Sequence, residues 1–217
     1  MSAAATRRQH IVTAATNVFS RYGYTRTTMN DIAKAAGLTR PTLYQSFPDK
    51  EAVFRAVIDE MATQLFATIQ EGLAKYQGLA EKLRFACESW GAAGFALVQA
   101  NPDAKDMFDL CFEPVKNSYI EFAKLIAGIL RAPLSKAGLN VDAEELARIV
   151  IFSIKGFKET ARDIEDMRRL IAAHTSVIAY AIEPDGRQSR KAESTRTKTK
   201  RTSSKTRVSL PRNEKCL

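Results

Sequence analysis

"TMNDIAKAAGLTRPTLYQSFPDK", Thr28–Lys50, holds two short helical patterns with a glycine between them. In the first, Thr28 stands three residues before Asp31, a capping box with a shorter acid, and Ile32, Ala33 and Ala36 share one face. Gly37-Leu38 closes it, a glycine suited to the left-handed position after a helix and an apolar residue that packs back. In the second pattern only Leu43 and Phe47 recur at the i, i+4 spacing of a helix face, and Phe47-Pro48 stops it. Such a helix keeps most of its surface away from any core.

Two short helices joined by a tight glycine turn, the second poor in core-facing residues, read as a helix-turn-helix. A recognition helix must leave its side chains free for base edges in the major groove, so a broad apolar stripe is excluded. Arg40, Thr42, Tyr44 and Gln45 remain outward. Arginine matches guanine O6/N7, glutamine matches adenine N6/N7, threonine suits a base or a thymine methyl, and tyrosine most often takes phosphate. Pro41 and the Thr42 methyl can pack on thymine.

Pro41 also constrains the cap. With Thr39 as N-cap, Pro41 falls at the second helical position without an N–H, so the Thr39 hydroxyl must accept from Thr42. With Pro41 at the preferred first position, Arg40 becomes a poor cap. The first arrangement is favoured, because threonine caps better and a proline in the first turn forfeits no intrahelical bond.

The neighbouring segments are helical too. Arg7–Tyr22 opens with a Thr6/Gln9 capping box, carries Ile11, Ala15, Val18, Phe19 and Tyr22 as one stripe, and stops at Gly23. Asp49 caps a long helix with Phe54, Val57, Ile58, Met61, Leu65 and Ile69 inward. The ordered combination in Arg7–Phe54, including "IVTAATNVFSRYGYTRTTMNDIAKAAGLTRPTLYQSFPDKEAVF", resembles the DNA-binding domain of the TetR/AcrR family of bacterial transcriptional regulators. The resemblance implies that Thr28, Thr39 and Lys50 contact phosphates, that Arg40 to Gln45 read bases, and that Tyr44 holds the DNA backbone. Lys50 adds its charge to a helix N-terminus, where phosphate is favoured. The family's residue at position 41 is often small, and proline replaces it here.

Beyond Gly78 the helices lengthen: Leu79–Ala100 with Leu83, Cys87, Trp90, Gly94 and Leu97, then a short helix holding Met107, Phe108, Cys111 and Phe112. Pro114 opens the next, with Tyr119, Phe122, Ile126, Ile129 and Leu130, until Pro133 and Gly138 interrupt it. Asp142–Thr160 presents Leu146, Ile149, Val150, Ser153 and Phe157, and Asp163–Ile182 presents Met167, Leu170, Ile171, His174, Val177, Ile178 and Ala181. The fold class is therefore all-α. The family resemblance further implies that the last two helices dimerise and that the aromatic-rich middle encloses a small-molecule inducer. Trp90, Phe95, Phe108, Phe112, Tyr119 and Phe122 are the candidates for lining it.

Composition sets the frame. With 217 residues, 45% of them hydrophobic, the chain can bury a fair-sized core. Its formal charge of +9 is concentrated: residues 187–217 hold 11 lysines and arginines against two acids, and the first 186 residues hold 22 of each sign. We divide the chain into a DNA-binding domain (1–50), a helical regulatory and dimerisation domain (51–184), and a tail (185–217) too polar to offset the entropy of ordering. The tail can bind DNA non-specifically by displacing counterions, meet anionic lipid, or merely solubilise.

Three cysteines, Cys87, Cys111 and Cys216, and two histidines lack metal-ligand spacing, so no metal or cofactor is expected; Cys87 and Cys111 read as buried thiols and His174 as a satisfied interface residue. No apolar run spans a membrane and no export signal is evident, which places the chain in the cytoplasm. The partners expected are double-stranded DNA, a second copy of the chain and an unidentified inducer, with a homodimeric repressor on a palindromic operator as the first reading. An architectural, broadly DNA-binding protein using the basic tail is the alternative, and an enzyme is opposed by the lack of any nucleophile-base pair.

Overall fold

The computed structural model describes residues 3–183. They form eight α-helices: α1 Ala3–Arg26, α2 Met29–Ala35, α3 Arg40–Ser46, α4 Lys50–Leu73, α5 Leu79–Ala100, α6 Glu113–Lys136, α7 Ala143–Thr160 and α8 Ile164–Ile182. A 3-10 helix, Pro102–Phe108, lies between α5 and α6. No strand occurs among the described residues, so the chain is all-α. The basic tail, its expected lack of order and its expected DNA contact lie outside the described residues.

Local chemistry accounts for most helix ends. Asp49, Asp142 and Asp163 each accept the third helical amide at 2.8 Å, satisfying an N–H that has no intrahelical partner. At the end of α2, Leu38 donates to the Ala33 carbonyl and Gly37 to that of Lys34, with Gly37 at φ +63°. This is the Schellman closure expected from Gly37-Leu38. Pro114 stands in the first turn of α6. α1, α2, α3 and the first turns of α4 form one small bundle around Ile11, Phe19, Ile32, Leu43, Phe47 and Phe54, all fully buried. α4 continues into the second bundle, where α5 packs on α8 and α6 on α7.

Several expectations require correction. Helix α1 is already formed at Ala3, so Thr6 and Gln9 lie inside it rather than capping it, and it resumes after a break at Gly23 to reach Arg26. Tyr22, placed on the buried stripe by spacing alone, is exposed, because the chain turns at the next residue. The segment after α5 is a 3-10 helix that ends at Phe108, and Cys111 is exposed beyond it, whereas Cys87 is buried with its thiol pushed up to about 12. Pro133 does not stop α6, which runs on to Lys136. A proline so near the end removes only one of the last amide bonds. On α7 the buried positions are Ala143, Ala147, Val150, Ile151 and Ile154; Ile149 is exposed, as are Val177 and Ala181 on α8. His174 stands edge-on to Phe157, and its buried Nε2 has no hydrogen-bond partner. Burial accordingly lowers its pKa.

Candidate nucleic-acid interface and the cavity behind it

Helix α3 is held from one side only. Leu43 and Phe47 are fully buried, Arg40, Pro41, Tyr44 and Gln45 are exposed, and Thr42 is half-buried. The Thr39 hydroxyl accepts from the Thr42 amide at 3.4 Å and lies 2.8 Å from the Thr42 hydroxyl, so Pro41 occupies the second helical position. Of the two capping arrangements, the structure has the one in which Thr39 is the cap. Helix α1 secures the other end. Arg8 donates to the Ser46 carbonyl at 2.9 Å while its guanidinium sits 3.9 Å above the Phe47 ring, and His10 Nε2 bonds to the Ala36 carbonyl at the end of α2. A cation at a helix C-terminus is favoured by the helix dipole. Sequence reasoning missed Arg8, whose spacing from Ser46 carries no local signal.

The candidate phosphate contacts sit at helix starts. Thr28 caps α2, with its amide and hydroxyl both donating to Asp31 Oδ2 at 2.9 and 2.6 Å. Those bonds hold the Asp31 carboxyl below its ordinary pKa. Lys50, at the first position of α4, donates to the Tyr24 carbonyl at 2.9 Å, its ammonium 4.1 Å from the Tyr24 ring centroid. One of its three N–H donors is therefore committed within the fold.

A joint connects this bundle to the larger one. At Gly23 the backbone adopts φ 75°, ψ 177°, turning the chain so that the Tyr24 and Thr25 amides both reach the Asp106 carboxylate at 2.8 Å. Arg26 pairs with Asp103 on the same 3-10 helix. Beneath it, Tyr24 and Phe54 pack on Phe112 with ring centroids 4.6 and 5.0 Å away. Phe112 belongs to this joint.

On the far side of the 3-10 helix lies a cavity of about 360 Å³ between α4, α5, α6 and α7. Trp90, Phe108 and Tyr119 line it; Phe122 is fully buried behind Trp90, stacked at 4.4 Å, and Phe112 is at the joint. Phe95 faces a second hollow of about 700 Å³, which meets the first at Gly94, Phe108, Tyr119 and Lys158. Lys158 was not anticipated, although Ala147, Ile151 and Ile154 on the buried side of α7 lead to it by helical spacing. Burial, and secondarily Lys155, pushes its ammonium down to about 8.

A helix-turn-helix whose outward residues are hydrogen-bonding and basic, joined through a shared helix to a cavity-bearing helical bundle, defines the class of helix-turn-helix DNA-binding proteins with a C-terminal helical domain. Residues 11–57 match the family model described as bacterial regulatory proteins, tetR family. The HTH-type transcriptional regulator AcrR of Shigella flexneri is 37% identical over 71 residues, 33% of either chain. The chain thus spans about a third of the length of the first curated relatives it matches. Solved structures share the fold over most of the chain. FadR of Bacillus subtilis in complex with stearoyl-CoA has a TM-score of 0.60 at 20% identity, covering 80% of this chain and 96% of that one. A transcriptional regulator from Saccharomonospora viridis in complex with choline has 0.59 at 20% identity, covering 77% and 94%.

Proposed function

We propose that the protein is a ligand-responsive transcriptional regulator of the cytoplasm, acting as a homodimeric repressor on a palindromic operator. The observation that carries this reading is α3, a helix anchored by two buried side chains that turns Arg40, Pro41, Tyr44 and Gln45 to solvent. Thr28, Thr39 and Lys50 would fix its register on the phosphates, and Arg40, Thr42 and Gln45 would read base edges. The family match favours this reading over broad, architectural DNA binding.

The same reading needs a second copy, and α7 and α8 provide a face for one. Ile149 and Phe152 on α7 and Val177 on α8 are 59%, 51% and 69% exposed, large apolar side chains facing outward from the two final described helices. Among them, Phe152→Glu with Val177→Glu should convert the dimer to a monomer in analytical ultracentrifugation while the thermal melt of the monomer stays cooperative. A double variant that sediments as a dimer would remove this face from the proposal.

Ligand response would pass through the 3-10 helix. One end, Asp103 and Asp106, holds the end of α1; the other, Phe108, lines the cavity. A ligand that displaces Phe108 would shift the joint and so the spacing of the two α3 helices, which must match one turn of DNA. The direct test is selection of bound sequences from random DNA. Two half-sites about one helical turn apart are expected. Arg40→Ala and Gln45→Ala should each weaken binding to the selected site by about 1–3 kcal/mol and relax preference at one base pair. Recovery of no preferred sequence would defeat the reading.

A further inference from the structure

Resting on the reading of the cavity as a ligand site, we infer that it takes an amphipathic anion, with an apolar body along α4 and α5 and a single carboxylate-type head on Lys158. The lining is apolar on most sides, from Ile58, Met61 and Leu65 to Leu97 and Val115, with Gln64, Thr68, Ser118 and Tyr119 as neutral polar groups. It contains one cation, Lys158, and no Asp or Glu. A cationic ligand would therefore enter beside an ammonium with no countercharge, which a low-dielectric site penalises heavily.

Lys158 itself is prepared for an anion. Its side chain is half-buried and its ammonium, withdrawn from solvent, lies 5.7 Å from the Trp90 ring centroid and 6.0 Å from that of Phe108. The absence of a side chain at Gly94 leaves it room, since a Cβ there would stand 3.2 Å from Nζ. Among the described residues it has no hydrogen bond or ion pair. The acids of the adjoining hollow are each engaged elsewhere: Asp103 with Arg26, Asp106 with the Tyr24 and Thr25 amides, Asp109 with the Cys111 amide, and Glu159 with Lys105 at 3.0 Å. Lys155, the remaining cation on that side, repels the ammonium and adds to the positive field. Tyr119, which also faces it, has its pKa raised by burial and stays neutral. An enclosed ammonium whose neighbouring carboxylates are all occupied gains most from a carboxylate brought by a ligand.

Trp90 is the chain's single tryptophan and lines the cavity, so its fluorescence reports occupancy directly. The full-length protein is titrated with octanoate, 1-octanol and octyltrimethylammonium, and operator binding is measured on the same samples. Octanoate should bind about tenfold or more tighter than octanol, and the cation weakest. Lys158→Met, which keeps an apolar stem, should abolish the preference while still binding octanol and operator. Octanoate affinity should hold between about pH 6 and 8, where the probe is ionised, and fall above pH 8, because the free ammonium then loses its proton and must regain it on binding. Equal binding of all three probes, tightest binding of the cation, or an undiminished preference in Lys158→Met would overturn the inference and leave the cavity as a neutral ligand site. Failure of every probe to perturb Trp90 would overturn the cavity reading with it, while operator binding would stand apart from both.

Discussion

Gly23→Ala should lower the unfolding free energy by about 3 kcal/mol or more, as large an effect as any single methyl group can have in this fold. Two costs add. At φ 75°, ψ 177° the residue occupies backbone space that is essentially open to glycine alone. A Cβ built there would also stand 2.1 Å from the Asp103 carbonyl oxygen and 2.5 Å from Asp106 Oδ1. Relief requires the 3-10 helix to withdraw, which breaks the Asp106 bonds to the Tyr24 and Thr25 amides. Urea melts followed by circular dichroism measure the loss. On the proposed ligand response, the variant should also uncouple ligand from DNA, because the 3-10 helix no longer holds the end of α1. A midpoint unchanged from the wild-type protein would mean that Gly23 is not constrained as described.

Gly23 also shows where sequence reading reaches and where it stops. As a break in the helix it was legible, since a glycine after an apolar-periodic run is a local signal, although the helix resumes beyond it to Arg26. Its contact with Asp103 and Asp106 was not, because those residues lie some eighty positions away and nothing in either segment specifies the pairing. The same division runs through the molecule. The caps read at Thr28, Thr39 and Asp49 are present, each closing on an amide three residues on, whereas Thr6 lies inside α1; Asp142 and Asp163, read as the first residues of their helices, cap them instead. The outward face of α3 was legible for the opposite reason: too few apolar residues were available to bury it. The wide stripes of α7 and α8 did not say which apolar residues face inward. Ile149, Phe152 and Val177 belong to patterns broad enough for two surfaces, and only packing against α5 and α6 selects the buried set. Among the aromatics, the family resemblance implied a cavity, yet Phe112 and Phe122 went to the joint and the interior, while a lysine took a place in the wall.

Phe47→Ala should cost about 3–5 kcal/mol, whereas Arg40→Ala, Tyr44→Phe and Gln45→Ala on the same short segment should each stay within about 0.5 kcal/mol of wild type. The asymmetry follows from how α3 is held. A seven-residue helix has no independent stability in water, so its position depends on tertiary contacts. Phe47 is fully buried, contacts the Arg8 guanidinium with its ring face, and caps the end of α3 by donating its backbone N–H to the Leu43 carbonyl. Truncating it leaves a cavity beneath α3 and removes the surface on which Arg8 rests, so Arg8 also loses its hold on the Ser46 carbonyl. Operator binding should disappear together with the α3 fold. In the outward variants the melt should be unchanged while operator affinity falls, because those side chains contact little of the protein. Measuring both quantities on all four variants separates the scaffold from the reading surface. If Phe47→Ala melted like the wild type, or if the outward variants lost stability in proportion to affinity, α3 would not be a helix held from one side to present the other.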